Sequence, residues 1–191
     1  MLLAIIAASH SLATAQPAER QPPTSNDAID RVIDAAHAQV GKTLHYDPRY
    51  VTLTYPGGDL PIERGVCTDV VIRAFRAIDI DLQKLVHEDM RRAFKVYPPL
   101  WGRHAPDRNI DHRRVPNLQT FFRRHWLTLS LSQGPADYLP GDLVTWRLPA
   151  GVPHIGIVSS QRTGDRPLIV HNIGAGTKLE DSLFAFTITG H

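Results

Sequence analysis

Residues 64–75 read RGVCTDVVIRAF and hold the chain's single cysteine, Cys67. A glycine-led turn gives way there to a helical pattern. Val70, Val71, Ala74, Phe75 and Ile78 recur at helical spacing, while Arg73 and Arg76 point away. Cys67 lies three and four residues before Val70 and Val71, which places it on the core-facing side of the first turn. A sulfur at that position has two readings. It is a small buried hydrophobe, or it is a nucleophile whose thiolate and reaction oxyanion are stabilised by the free amides and positive dipole end of the helix. Asp69 suits the start of the helix but works mildly against a thiolate.

Working outward, SNDAIDRVIDAAHAQVGK (25–42) predicts a first helix, capped by Ser25 or Asn26 and ended by Gly41. VTLTYPGGDL (51–60) predicts a short strand running into a turn. Residues 84–126 contain a predicted loop, YPPLWGRHAPDRNIDHRRVPN (97–117), and then a short helix through Leu118, Phe121 and Phe122. From Pro140 the pattern changes to strands: GDLVTWRL, HIGIVSSQ, PLIVHNI and LFAFTIT. Helices first and antiparallel strands later make an α+β domain.

Thiol chemistry needs a base for the sulfur's proton and a group that orients the base. The chain has ten histidines. His154 begins a strand directly after a loop, and His171 lies on the next strand-like run. If those strands pair across SSQRTGDRP, both imidazoles fall on one face. Asn172 is a second candidate to orient the base, but alternation points it to the opposite face. A zinc site from Cys67, His154 and His171 lacks a short-spaced ligand pair, so no cofactor is expected.

The 191 residues suffice for one domain with a core. A formal net charge of +2 does not argue for nucleic acid. From Arg91 to His125, however, nine Arg/Lys face two acids. Within that segment NIDHRRVPN (109–117) is dense in charge, and its arginine forks suit carboxylates. It reads either as a loop pinned by Asp–Arg pairs or as a cleft wall that holds a substrate carboxylate. The first residues, MLLAIIAASHSLATA, resemble a secretory signal over 1–15, although no Lys or Arg precedes the apolar run. That run is too short to span a bilayer. Residues 16–25 then read as a flexible N-terminus, and 26–191 as a single domain, in the periplasm or secreted. A lone thiol in an oxidising compartment is a liability unless it is buried or needed.

The strings YPGGD, RGVCTDVVIRA, DLQKLVHEDM, NIDHRRVPNL, GDLVTW and HNIGAG, in that order, resemble the DUF1287 family. Cys67, Gly141-Asp142-Leu143, His154 and His171 are similar in order to the wider NlpC/P60 group of papain-like hydrolases. That resemblance implies a papain-like α+β fold, with N-terminal helices packed on a C-terminal antiparallel sheet. It also implies a cysteine peptidase or amidase that cleaves peptidoglycan stem peptides with a catalytic Cys67, His154 and His171. The chain departs from the wider group in the TDV after Cys67 and in the long basic segment between cysteine and histidine. A tyrosine upstream of the cysteine assists at the oxyanion in that group. Tyr46, Tyr50 and Tyr55 are the candidates, and Tyr46 joins Asp111, Arg113 and Arg114 in the expected substrate-binding set. Two other functions fit the same residues: a thiol esterase or acyltransferase acting on lipid, and an inactive cell-wall binding module.

Overall fold

The computed structural model describes residues 25–191. The expected signal segment 1–15 and residues 16–24 lie outside the described residues. Four helices come first: α1 (Ser25–His37), α2 (Cys67–Arg76), α3 (Leu82–Ala93) and α4 (Val115–His125). A two-residue parallel ladder, β1 (His45–Tyr46) with β2 (Arg64–Gly65), precedes α2. The C-terminal strands are β3 (Leu143–Arg147), β4 (Pro153–Thr163), β5 (Arg166–Asn172), β6 (Thr177–Glu180) and β7 (Thr187–Gly190). They form one antiparallel sheet in the order β6-β5-β4-β3-β7. The α+β architecture is the one expected. Among the described residues no helix is long and apolar enough to cross a membrane.

Each face of the sheet carries its own core, because side chains alternate along a strand. On the helix side, Val70, Val71 and Ala74 of α2 are fully buried in one cluster with Ile155, Ile157 and Val170. On the far side, Val144, Trp146, Val158 and Ile169 pack with Tyr138 and Leu183. Trp146 Nε1 donates to the Leu183 carbonyl at 2.8 Å, which pins the covering loop.

Three expectations change. Residues 51–60 form no strand, because side chains from elsewhere take their backbone groups. Leu53 N–H donates to Asn109, Gly57 N–H to Asp81 and Gly58 N–H to Gln83, while Gln83 Nε2 donates to the Thr54 carbonyl. The loop of the basic segment is preceded by a helix the sequence reading did not include: α3, whose Leu82, Val86 and Met90 make a narrow i, i+4, i+8 stripe between charges. Asp81 caps it through the amides of Gln83 and Lys84. Of LFAFTIT only its end pairs, as β7, whereas Thr177–Glu180 adds the edge strand β6.

The β4–β5 register sets Ile157 against Val170, which brings Gly156 opposite His171. A Cβ on Gly156 would stand 2.7 Å from Ile169 Cγ2 and 3.1 Å from His171 Cβ. Gly156→Ala should therefore cost about 1–3 kcal/mol by overpacking, read as a lower urea midpoint, and should displace the His171 ring. An unchanged midpoint would mean that the two strands sit farther apart.

Candidate active site

Helix α2 begins at Cys67 itself, after an extended Val66. The Asp69 carboxylate reaches back to the Val66 N–H at 2.7 Å, as a carboxylate in the third position of a helix does. The Ile155 amide, the Thr68 amide and the Tyr46 hydroxyl are the neighbours that favour the ionised form of the Cys67 sulfur. Thr68 is the next residue of α2. Ile155 directly follows His154 at the start of β4, so the sulfur lies within one peptide unit of the His154 backbone. Tyr46 comes from β1 and is partly exposed over the thiol. Tyr50 and Tyr55 go elsewhere. Tyr50 Oη donates to Asp107 at 3.2 Å, and Tyr55 meets the His87 ring edge-on. Of the three upstream tyrosines, Tyr46 is the one that neighbours the thiol.

His154 and His171 stand on the same face of adjacent strands. His154 Nε2 and His171 Nδ1 are 2.8 Å apart, with the rings near a T-shaped contact. Both residues are buried, and Trp146 packs beside the His154 ring. Asn172 points the other way, as alternation requires. Its Nδ2 donates to the Gly65 carbonyl at 3.0 Å and ties the end of β5 to the strand before Cys67. The sequence reading missed Glu180. Its Oε2 lies 3.1 Å from His171 Nε2, with Ser182 Oγ at 3.3 Å from the same nitrogen. Only the pairing of β5 with β6, which no sequence pattern announced, brings Glu180 there.

The electrostatics differ from a preformed thiolate. Burial pushes the Cys67 thiol up to about 11, and the nearby Asp69 charge adds to the rise. The amide and hydroxyl donors pull the other way and lose. Burial likewise holds the His154 imidazole down to about 3. His171 is lowered by burial and partly restored by Glu180. At neutral pH the resting site is therefore a neutral thiol beside neutral imidazoles.

The four residues of the basic segment are tied to the protein itself. Arg113 is buried: Nε donates to Asp69 Oδ1 at 3.0 Å, and Nη2 to Asp69 Oδ2 at 3.0 Å and to the Asp47 carbonyl at 2.9 Å. Nη1 donates to the Arg49 carbonyl at 3.2 Å. This guanidinium, almost fully excluded from water, spends its donors on the protein itself. Arg114 lies over the Trp101 ring, 4.0 Å from its centroid, and pairs with Asp111 at 3.3 Å. Asp111 also accepts from the Asp107 amide at 2.5 Å, and His112 is buried. The loop-pinning reading describes these contacts. An apolar cavity of about 490 Å³ opens between α4 and the β3–β7 side of the sheet, lined by Phe75, Phe122, Trp126 and Leu129. Cys67 is not among its walls, so it gives no groove for a lipid chain at the sulfur.

Residues 33–191 match the family described as DUF1287, a domain of unknown function. The chain is 58% identical over 161 residues to "Uncharacterized protein YijF" of Escherichia coli (strain K12), covering 84% of this chain and 78% of that protein. Among solved structures it is similar to NlpC1 from Trichomonas vaginalis, at 17% identity and a TM-score of 0.48. That similarity covers 89% of this chain, which spans 45% of the solved one.

Two outcomes check the site's energetics. Arg113→Ala strands the buried Asp69 carboxylate, and breaking a buried pair in this way costs about 3–5 kcal/mol. Arg114→Ala removes a half-covered cation–ring contact and a short ion pair and should cost about 1 kcal/mol. Urea midpoints read both, and equal losses would contradict the buried pairing. The second outcome concerns pH. Burial holds His154 and His112 at about 3 in the fold, while an unfolded imidazole titrates near ~6.5. Between those values the unfolded chain binds protons that the folded chain refuses, so each residue weakens the fold by up to about 1.4 kcal/mol per pH unit of acidification. Asp111, raised by burial to about 6, works in the opposite sense between 6 and 3.8. Two histidines against one aspartate leave a net loss, and the urea midpoint should fall from pH 7 to pH 4.5. A rise would show that the buried rings carry protons in the folded state.

Proposed function

The chain belongs to the DUF1287 family, and from that premise we propose that it is a cysteine hydrolase that cleaves an amide bond, with peptidoglycan stem peptides as its substrate. The observation that carries the proposal is the convergence of two features at one strand end. The Cys67 sulfur has the Ile155 amide as a neighbour, and the residue before Ile155 opens a hydrogen-bonded pair of imidazoles, His154 and His171. A nucleophile, a base and a group that orients the base are the three parts that acyl-transfer chemistry needs.

The steps follow from those parts. The Cys67 sulfur attacks the amide carbon as its proton passes to His154. The tetrahedral oxyanion is held by the Cys67 amide at the helix start and by the Tyr46 hydroxyl. Burial raises the Tyr46 phenol well above its ordinary range, so it remains an O–H donor throughout. His154 returns the proton to the departing amine, which leaves an acyl-thioester on Cys67. Water, deprotonated by His154, attacks the thioester. A carboxylic acid departs and the thiol is restored. Because the resting pair is neutral, proton transfer accompanies attack instead of preceding it. A wall substrate requires an exported protein, and the signal read over residues 1–15 supplies that route.

The buried, protonated thiol favours a second reading, a cell-wall binding module that keeps the framework without turnover. Slow alkylation by iodoacetamide, rising only well above pH 8.5, is expected under both readings, so it does not separate them. Digestion of purified sacculi does. Wild type should release peptide fragments identifiable by mass, and Cys67→Ala should release none. If wild type binds sacculi and releases nothing, the module reading replaces the hydrolase.

A further inference from the structure

We propose that Glu180 is a positioning residue that sets the direction of the proton chain through His171 and His154, and that Ser182 is poised to set the opposite direction. The inference rests on the hydrolase reading for its consequence, but the proton positions themselves exist in the resting protein.

Three side chains from three adjacent strands lie in a row on one face of the sheet. Glu180 on β6 stands diagonal to His171 on β5, since His171 pairs with Lys178 and Ile169 with Glu180. His171 in turn stands diagonal to His154 on β4 across the bare Gly156. The contacts run Glu180 Oε2 to His171 Nε2 at 3.1 Å, then His171 Nδ1 to His154 Nε2 at 2.8 Å. A neutral imidazole carries one proton and one lone pair, and a carboxylate only accepts. Glu180 therefore requires the His171 proton on Nε2. His171 Nδ1 is then bare and must accept, so His154 Nε2 carries the proton. His154 Nδ1 is left as the one unprotonated nitrogen of the relay able to act as a base. Each ring's tautomer follows from the hydrogen bond made by its other nitrogen.

The reverse chain also has a partner in place. Ser182 Oγ lies 3.3 Å from the same His171 Nε2. A hydroxyl can donate as well as accept. If it donates to His171 Nε2, the His171 proton moves to Nδ1 and points at His154 Nε2, and the His154 proton moves to Nδ1. His154 then presents a donor where the chemistry needs an acceptor. Glu180 opposes this state, because its carboxylate would face a lone pair. The burial that lowers His171 keeps the ring neutral, so the choice is between two tautomers and not between charge states. Lys178 lies 3.7 Å from Glu180 Oε1 and holds the carboxylate at the sheet edge.

The test reads ring nitrogens directly, by ¹⁵N–¹H correlation of imidazoles in the resting protein at neutral pH. Wild type should show protons on Nε2 of both His171 and His154. Glu180→Leu should move both to Nδ1, and adding Ser182→Ala should cancel that preference and leave a mixture. Wild type with the His154 proton on Nδ1, or a Glu180→Leu spectrum identical to wild type, overturns the proposal. Should Glu180→Leu not fold, the wild-type spectrum still decides. On the activity side, kcat for sacculus digestion should fall in Glu180→Leu on the order of 10²-fold or more with KM little changed, and should recover in part with Ser182→Ala. An inactive wild type would defeat the hydrolase reading while the spectra still judge the relay. An active wild type with unaltered tautomers in Glu180→Leu would defeat only the relay.

Discussion

The buried ion pair between Asp69 and Arg113 decides where the sulfur sits. Asp69 lies in the first turn of α2 and holds the Val66 amide, so it fixes the entry of the chain into the helix that begins at Cys67. Arg113 grips both oxygens of that carboxylate and, with its other nitrogens, the carbonyls of Asp47 and Arg49. One guanidinium thus joins the helix start, the residues just after Tyr46 and the basic loop. A planar fork with several donors in fixed directions can do this, and an ammonium cannot. The side chains are almost fully excluded from water, so the pair cannot be lost piecemeal. The basic segment that interrupts the chain between cysteine and histidine is then part of the frame of the site.

The opposite wall is made by the sheet, and its geometry depends on a missing side chain. His154 and His171 are not directly paired; they meet on the diagonal, and the residue between them is Gly156. Any Cβ there would press on His171 and Ile169. The consequence is a short contact between two large rings on adjacent strands, with Trp146 closing one side. Asn172, one residue beyond His171, turns to the other face and holds Gly65. Successive residues of one strand therefore do different work: His171 orients a ring, and Asn172 docks the strand onto the segment that leads into Cys67.

What was legible in the sequence were features with a short repeat. Alternation along residues 154–158 and 167–173 placed both histidines on one face, and helical spacing placed Cys67 at the first turn of α2. The α+β order followed from the same patterns. Longer-range facts were not legible. The VTLT stretch before the Pro-Gly-Gly turn looks like a strand by composition, but side chains of Asn109 and Gln83 take backbone groups of Leu53 and Thr54, and nothing local announces them. Helix α3 hides its apolar stripe among charges. Glu180 belongs to a four-residue edge strand whose sequence, TKLE, has no strong β signal, so its approach to His171 depends wholly on tertiary pairing. The role of Arg113 was ambiguous for a related reason: an arginine-rich loop has the same composition whether it faces a ligand or its own protein.

The state of the thiol shows how competing effects are decided by magnitude. The helix start, two amides and a phenol all favour the thiolate, and each contributes at short range. Exclusion from water opposes them with a larger effect, and the Asp69 charge adds to it, so the thiol titrates at about 11. Oxidation and alkylation proceed through the thiolate. A buried, protonated thiol is thereby protected from both. Protection of this kind comes with a requirement. In the proposed hydrolase the proton leaves the sulfur during attack, so the base has to present a bare nitrogen in advance. A neutral thiol and a neutral imidazole, with its tautomer fixed as proposed, would be complementary halves of one arrangement, because burial that suppresses the charge on one also suppresses it on the other.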